Sequence, residues 1–183
     1  MSNRLIPLEP PFSADVARIL AKFPQQDGYL LSLFRTFANS PRFLAKAVPN
    51  LLDKDSPLDL RSREIVILRT TANRGCEYEW GVHVAIFGEA AKLTKEQVHA
   101  TVVDNPTCWT SSELRLIQAV DQLCKQAVLH DNVQEQFITD WDTKEQLEIL
   151  ALVGNYTTIS LVANVAGLPS EPFATRFPLK GSG

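Results

Sequence analysis

The sequence predicts an all-α protein that folds as a single domain of about seven or eight helices, since 183 residues suffice for one substantial core. Apolar residues recur at helical spacing in successive segments of the chain. Several of these segments begin with a capping-box pattern, in which Thr is followed three residues later by Glu or Gln. No segment shows the sustained polar–apolar alternation between turn signals that is typical of β-strands.

We divide the chain into an N-terminal arm, a helical domain and a C-terminal tail. Residues 1–12 carry prolines at close intervals, which prevents regular secondary structure and predicts an extended arm. Residues 13–169 hold the segments with helical spacing and form the domain. Residues 170–183 show no helical pattern, and we expect Phe173 and Phe177 to dock this tail on a partner surface.

Prolines, glycines and capping residues divide the domain into its helices. Ser13 and the pair Ser40-Pro41 mark helix starts. Capping boxes are predicted at Thr94, Thr110 and Thr143. The predicted helices cover, in chain order, residues 13–23, 27–38, 41–52, 61–74, 76–91, 93–104, 110–129, 133–141 and 143–167.

The chemistry is concentrated between residues 61 and 93. The first helix of this stretch is apolar almost all round, which indicates burial on several sides. Gly75 then supplies a helix stop. In the second helix, Cys76, Glu79, His83 and Phe87 fall within roughly an 80° wedge and therefore share a face.

If the two helices fold back on each other around Gly75, Glu64 lies roughly opposite His83. The order in space is then Glu64, His83, Glu79 and Cys76. A His between carboxylates is suited to carry a proton near neutral pH. The helix dipole favours a Cys76 thiolate, whereas the charge of Glu79 opposes it, so these residues alone leave the reactivity of the thiol open.

Each of these residues also has a simpler interpretation. Cys76 fits a small buried hydrophobe, and Glu79 with His83 fits an ordinary pair on a helix surface. The aromatic side chains of Trp80 and Phe87 weigh against a solvated face, because such a face does not normally carry this much aromatic area. Together they favour a functional site.

The spacing of these residues resembles a known signature. Glu64, followed after eleven residues by the sequence CEYEWGVH, resembles the carboxymuconolactone decarboxylase-like family, which includes the alkylhydroperoxidase D-like enzymes. The resemblance covers about residues 30–170 and implies the all-α fold of that family. In its peroxidase branch, Glu64, Cys76 and His83 match the glutamate, the first cysteine and the histidine. Glu79 stands where that branch has its peroxide-attacking cysteine, so the resemblance points to the decarboxylase-named branch, in which acid–base groups act.

Three functions follow as hypotheses. In the first, the protein is a decarboxylase-like lyase on a small carbonyl or lactone acid: His83 moves the proton, Glu64 orients it, Glu79 is the second acid–base group and Cys76 lines the pocket. The second is an oxidoreductase with peroxiredoxin activity, in which Cys76 alone reduces peroxide and an external thiol resolves it. The third is a non-catalytic member of the fold.

Further residues are candidates for the pocket wall. For the aromatic residues the alternative is core packing, and for Asn155 and Tyr156 it is hydrogen bonding between helices. Cys124 fits an apolar helix stripe, whereas Cys108 lies in a loop and could resolve an oxidised Cys76. The predicted lining residues are Tyr78, Trp80, Phe87, Phe34, Asn155 and Tyr156.

Composition excludes several classes of partner. A net charge of −3 without a basic run argues against nucleic acid. The three histidines are scattered and no glycine-rich phosphate loop occurs, so we predict neither a metal nor a cofactor. No apolar run reaches the roughly 18 residues that span a bilayer, and no signal peptide is evident, which predicts a cytoplasmic protein without a membrane partner.

Self-association is the remaining expectation about partners. The segment from Leu147 to Val165 is too apolar for a helix with only one buried side, so it forms either the domain centre or a subunit interface. The resemblance implies a homo-oligomer, often a trimer or hexamer, that acts on a small-molecule substrate.

Overall fold

The computed structural model describes residues 5–26, 28–103 and 106–178. The all-α prediction is confirmed: these residues form nine α-helices, more than the seven or eight expected, with one 3-10 turn and no β-strand. The helices are α1 Ala14–Leu20, α2 Ser32–Phe37, α3 Pro41–Lys46, α4 Leu60–Asn73, α5 Glu77–Phe87, α6 Lys95–Ala100, α7 Ser111–Gln126, α8 Asp131–Asp140 and α9 Thr143–Ala166.

Helix α4 lies at the centre of the domain. Its residues Ile65, Val66, Ile67 and Leu68 are fully buried, because α5, α7 and α9 all pack against it. Burial on every side explains the continuous apolar sequence of this helix, as predicted. The polar residues of α4 therefore need partners from the surrounding helices.

Helix α9 packs one face against α4 and leaves apolar side chains on the other. Ile149 and Leu152 are fully buried, whereas Leu161 and Val165 are 58% and 75% exposed. Although no unbroken apolar run of about 18 residues occurs, α9 is long and apolar enough to cross a membrane by length and composition alone, a test that core helices also pass. Polar residues such as Asn155 interrupt the apolar sequence of α9, although its mean hydropathy is high. Since 39% of the relevant window is buried within the chain, α9 is also a core helix.

Two of the three predicted capping boxes are confirmed, at Thr94 and Thr110. The third, at Thr143, was wrong, because Asp142 precedes it and caps α9 instead. The Asp142 carboxylate accepts from the backbone N–H of Glu145 at 3.0 Å, and the Glu145 carboxylate accepts from the N–H of Asp142 at 2.8 Å. Thr143 is thus the first residue inside the helix.

Several predicted helices were too long. Helix α2 begins at Ser32, not at residue 27, and α3 ends at Lys46, because Pro49 disfavours helical geometry just before it. Helices α5 and α6 end at Phe87 and Ala100. The predicted ends at residues 27 and 104 lie outside the described residues.

Both chain ends lie along the domain where they are described. On the N-terminal side, the Leu8 N–H donates to the carbonyl of Arg35 at 3.1 Å. On the C-terminal side, Thr175 donates to the carbonyl of Gly81 in α5 at 3.1 Å. A Cβ atom at Gly81 would lie 2.1 Å from the Thr175 carbonyl oxygen, so this close approach requires glycine. Residues 1–4 of the predicted arm and 179–183 of the predicted tail lie outside the described residues.

The tail docks through Phe177 on its own chain. The rings of Phe177 and Trp80 have centroids 5.0 Å apart, and the N–H of Phe177 donates to the Glu77 carboxylate at 3.0 Å. Phe177 thus docks the tail on its own chain, and its contact with a partner surface stays a prediction. Phe173 remains 36% exposed.

Candidate active site

A tight turn between α4 and α5 creates the candidate site. Gly75 has a φ of +59°, in the left-handed region that glycine adopts readily. The N–H of Cys76 then donates to the carbonyl of Thr71 at 2.9 Å, which fixes the start of α5. The two helices fold back on each other as the sequence predicted, and Glu64 faces His83.

Three polar groups surround the His83 ring. Its Nδ1 lies 2.7 Å from Glu64 Oε2. On the other side of the ring, Nε2 lies 3.0 Å from the Tyr156 hydroxyl and 3.5 Å from Glu79 Oε1. All four side chains are buried. The structure thus brings together Glu64, Glu79 and His83, with Tyr156 from α9 as a fourth member.

The two carboxylates keep His83 protonated. Burial is the largest influence and lowers the pKa of His83, but the charges and hydrogen bonds of Glu64 and Glu79 outweigh it and raise this pKa to about 9. At neutral pH the ring is an imidazolium with a proton on each nitrogen. Nδ1 then donates to Glu64, and Nε2 donates towards Tyr156 and Glu79.

Tyr156 remains a neutral phenol beside this cation. Burial raises its pKa well above the usual value, and the charges of Glu79 and Glu64 raise it further. Its ring meets the His83 ring edge-on, with centroids 5.0 Å apart. The Tyr156 oxygen can therefore accept from His83 without losing its own proton.

Arg63 joins the cluster, although the sequence reasoning missed it. Its Nε lies 3.5 Å from Glu64 Oε1, and its guanidinium carbon lies 6.0 Å from the centre of the Phe87 ring. Phe87 in turn packs on His83, with centroids 5.2 Å apart. Its place next to Glu64, in a helix predicted to be buried on several sides, was the signal, because a buried arginine needs a charged or polar partner.

Some polar atoms of this cluster have no hydrogen-bond partner in the protein. They are Arg63 Nε, Glu64 Oε1 and Glu79 Oε2, all of them buried. Buried polar atoms are usually hydrogen-bonded, because an unsatisfied one costs about 1–3 kcal/mol. Arg63 Nε and Glu64 Oε1 form only a long ion pair, at 3.5 Å, so these two atoms and Glu79 Oε2 retain hydrogen-bonding capacity for a small polar ligand.

Cys76 lies at the end of the cluster and is fully buried. Burial is the largest influence and raises the pKa of its thiol, and the charge of Glu79 raises it further. The backbone N–H groups of Glu79 and Tyr78 and the hydroxyl of Ser160 act in the opposite direction, but burial and Glu79 outweigh them. The thiol is protonated at neutral pH. Ser160, on α9, was not predicted from the sequence.

Two predicted lining residues, Tyr78 and Trp80, make their contacts away from His83. The Tyr78 hydroxyl accepts from the Leu33 N–H at 3.1 Å and donates to the Glu171 carboxylate. Trp80 Nε1 donates to the Thr101 hydroxyl at 2.8 Å. Tyr78 and Trp80 flank Glu79 in sequence, so they point to other sides of α5, whose residues from Tyr78 to His83 are all buried.

Phe34 and Asn155 also differ from their predicted positions. Phe34 packs between Phe23 and Phe37, with centroids 4.7 and 6.3 Å away, so it belongs to the aromatic core around α2. Asn155 Nδ2 donates to the carbonyl of Pro49 at 3.2 Å, which ties α9 to the loop after α3.

The remaining cysteines stay apart from this chemistry. The three cysteines, all among the described residues, form no disulfide, and burial raises the pKa of Cys124 as well. Neither Cys108 nor Cys124 is among the groups that shift the pKa of Cys76. Across the described ranges, no group of three or more His, Cys, Asp or Glu residues is arranged to hold a metal ion.

The comparisons with known proteins agree with the motif. Residues 42–122 match the family model of the carboxymuconolactone decarboxylase family, which confirms the resemblance predicted from Glu64, Cys76 and His83. No curated protein sequence matches the chain.

Solved structures share the fold at low sequence identity. A cysteine-to-alanine variant of the debrominase Bmp8, in complex with 2,3,4-tribromopyrrole, has a TM-score of 0.76 at 12% identity and covers 94% of both chains. An uncharacterized peroxidase-related protein from Silicibacter sp. TM1040 has a TM-score of 0.75 at 13% identity, covering 97% of this chain and 100% of the other. Apo Bmp8 has a TM-score of 0.68 at 13% identity, with 94% of each chain covered.

Proposed function

We propose that the protein is an acid–base enzyme that acts on a small carbonyl or lactone acid. One observation carries this proposal: a buried imidazolium at His83 is held by Glu64 on one nitrogen and directs its other nitrogen towards Glu79 and Tyr156. A proton donor and a carboxylate base thus lie side by side in a site shielded from water, as general acid–base catalysis requires.

The residues have separate roles in this mechanism. His83 Nε2 donates its proton to the carbonyl oxygen of the substrate as negative charge develops there. In a decarboxylation, the bond to the leaving CO₂ breaks, its electron pair moves into the carbonyl group, and the resulting enol oxygen holds the proton from His83. Glu79 Oε2 takes a proton from water and delivers it to the carbon that CO₂ has left, while the enol O–H proton returns to His83 Nε2. Glu64 holds the ring in place and stabilises its charge.

Arg63 and Tyr156 complete the proposed site. The unused N–H of Arg63 suits an acceptor on the substrate, such as a carboxylate oxygen. The Tyr156 hydroxyl accepts the hydrogen bond from His83 Nε2 that the substrate oxygen accepts during the reaction. Tyr156 therefore keeps the Nε2 proton hydrogen-bonded until the substrate arrives.

Peroxide reduction is the weaker alternative. It requires a Cys76 thiolate, and burial together with the charge of Glu79 favours the thiol. A purely structural role for the cluster is also disfavoured, because three buried polar atoms without partners destabilise a core. The debrominase with a similar fold binds a small ring compound, which supports a small-molecule ligand here.

The test is a screen for proton transfer with small carbonyl and lactone acids in deuterium oxide. We expect deuterium incorporation at carbon, or CO₂ release, from at least one compound. Glu79→Gln, which keeps the shape of the side chain but removes the base, should abolish the signal, and Cys76→Ser should retain it. Loss of the signal in Cys76→Ser with retention in Glu79→Gln would contradict the proposal.

We also propose a cytoplasmic homo-oligomer, a trimer or hexamer, that associates through α9. Its outward side chains Leu147, Leu161 and Val165 are more than half exposed, which is unusual for a contiguous apolar face. Sedimentation should give a species several times the 20.4 kDa chain mass. Replacing Leu161 and Val165 by glutamate should shift it to the monomer, and a wild-type monomer would contradict the idea.

A further inference from the structure

A cavity separate from the His83 cluster lies in the N-terminal part of the molecule. Its volume is about 480 Å³, within the range of small-molecule sites. None of its lining residues belongs to α4, α5 or α9, so it is separate from the His83 cluster. The wall is mostly apolar, with a few polar groups; the lining residues are Glu9, Pro10, Phe12, Ala17, Leu20, Ala21, Gln25, Gly28, Tyr29, Leu30 and Arg35.

Arg35 is the charged group of this cavity and is largely buried. Its side chain is 13% exposed. One terminal nitrogen donates to the Ser32 and Tyr29 hydroxyls at 3.1 and 3.3 Å, and the guanidinium lies 5.8 Å from the Tyr29 ring centre. The Nε atom is buried and has no hydrogen-bond partner. The cation is therefore held in position with donor capacity to spare.

Glu9 supplies the carboxylate that now pairs with Arg35. Its carboxylate contacts Arg35 Nη1, but its own side chain is 74% exposed. A pair with one exposed member contributes little to stability, about 0–1 kcal/mol, so another carboxylate can replace it. The Arg35 and Asn39 side chains donate to the backbone carbonyls of Leu8 and Ile6, respectively, and these hydrogen bonds hold the arm nearby. Glu9 is thus tethered beside the guanidinium like a built-in ligand.

We infer that this cavity binds a small amphipathic carboxylate. Its head would pair with Arg35 in place of Glu9, and its apolar body would lie against Phe12, Leu20 and Leu30. A planar guanidinium matches a carboxylate through two parallel hydrogen bonds. An apolar wall next to a single buried cation suits one negative charge with a hydrocarbon body, not a polyphosphate or a sugar.

The test is calorimetric binding of octanoate, with 1-octanol as the neutral counterpart of the same chain length. The wild type should bind octanoate more tightly than octanol. Arg35→Gln should weaken octanoate binding by about tenfold or more, the worth of one charge-assisted hydrogen bond. Glu9→Gln should tighten it several-fold, because it removes the tethered competitor.

A matched control separates this site from surface charge. Arg18 lies on α1, pairs with Asp15 and is 74% exposed, and it does not line the cavity. Arg18→Gln removes the same charge as Arg35→Gln and should leave octanoate binding unchanged. Thermal unfolding of each variant establishes that it is folded, and Arg35→Lys, which retains the charge, should keep part of the affinity if Arg35→Gln does not fold.

Three results would overturn the inference. They are equal binding of octanol and octanoate, octanoate binding that Arg35→Gln and Arg18→Gln reduce alike, and weaker binding in Glu9→Gln. The Glu9→Gln measurement decides most, because a general loss of stability cannot produce the tighter binding that is expected of this variant. The measurement involves no turnover, so its result is independent of the reaction proposed for the His83 site.

Discussion

Cys76 precedes the first residue of α5 and His83 lies in the middle of this helix, and both are buried beside Glu79. Their proton equilibria nevertheless have opposite consequences. Glu79 raises the pKa of both groups. For histidine a raised pKa produces a charged proton donor, whereas for cysteine it suppresses the reactive thiolate. One carboxylate therefore favours proton transfer and disfavours thiol chemistry at neighbouring positions.

Glu64 and solvation complete this contrast. His83 has a second carboxylate, Glu64, at 2.7 Å, so its charge is compensated despite burial. Cys76 has backbone N–H groups and the Ser160 hydroxyl, which do not offset the burial of a thiolate. The protonation of His83 and of Cys76 thus depends on the charged groups around each side chain.

The largest expected effect is the loss of proton transfer in His83→Gln. Removing a general acid typically lowers the rate by about 10²–10⁴-fold. Cys76→Ser should lower it by no more than a few fold, because serine preserves the size of the side chain. The rate of deuterium incorporation into the best substrate of the screen measures both. Comparable losses in the two variants would break the distinction between the two residues.

The pH dependence of stability should reveal the raised His83 pKa. The pKa of His83 is about 9 in the folded protein, whereas the ordinary pKa of histidine is 6.5. The folded protein therefore binds this proton more tightly than the unfolded chain does. The stabilisation is fully present below pH 6.5, declines as pH rises, and is lost above about 9. The raised pKa of His83 contributes on the order of 2–3 kcal/mol to the free energy of unfolding.

Urea unfolding of wild type and His83→Gln at several pH values measures this term. The difference in unfolding free energy between the two proteins should shrink as pH rises from 6.5 to 9. Subtracting the variant removes contributions from other titrating groups. A difference that is constant or grows with pH has the wrong sign for a proton held by Glu64 and Glu79.

Glu79→Gln and Glu79→Cys sharpen the contrast at the thiol. Removing the charge should lower the Cys76 pKa, and alkylation followed against pH detects the shift. Glu79→Cys additionally supplies a second thiol one helical turn away, and peroxide consumption should rise by about tenfold relative to Glu79→Gln. Equal rates in the two variants would indicate that burial alone prevents peroxide chemistry.

The smallest expected effect comes from two helix glycines, one in α5 that the tail contacts and one in α9 that it does not. Gly81→Ala places a Cβ atom 2.1 Å from the Thr175 carbonyl oxygen, which should displace the tail and cost about 1 kcal/mol of stability. Gly154→Ala in α9 meets no atom within 4 Å and should stabilise by about 0.5–1 kcal/mol. Thermal unfolding measures both. A neutral Gly81→Ala would show that the tail is not held closely.

The sequence carried much of the central helix pair. Ile65 to Leu68 predicted a helix buried on all sides, and Gly75 predicted the turn that places Glu64 opposite His83. The spacing of Glu79 and His83 placed both on one face. These features depend on local periodicity and turn chemistry, which are readable from a single chain.

Contacts from other parts of the chain were harder to predict. The bond between Tyr156 and His83 depends on how α9 crosses α5, and periodicity does not fix that crossing. Tyr78 and Trp80 were assigned to the pocket because they are aromatic neighbours of Glu79, but a helix buried on several sides has several apolar surroundings. Arg63 was overlooked because its role follows from its ion pair with Glu64 and its position over the Phe87 ring, which only the packing reveals.

The most direct measurement is an NMR titration of His83 in protein labelled at histidine, with the resonance assigned by comparison with His83→Gln. The proposal that two carboxylates hold a proton on this ring predicts a pKa near 9 in the wild type and a clear decrease in Glu64→Gln. A His83 pKa at or below 6.5, the ordinary value for histidine, would contradict the proposal. The imidazole would then be neutral at neutral pH and could not serve as the proton donor.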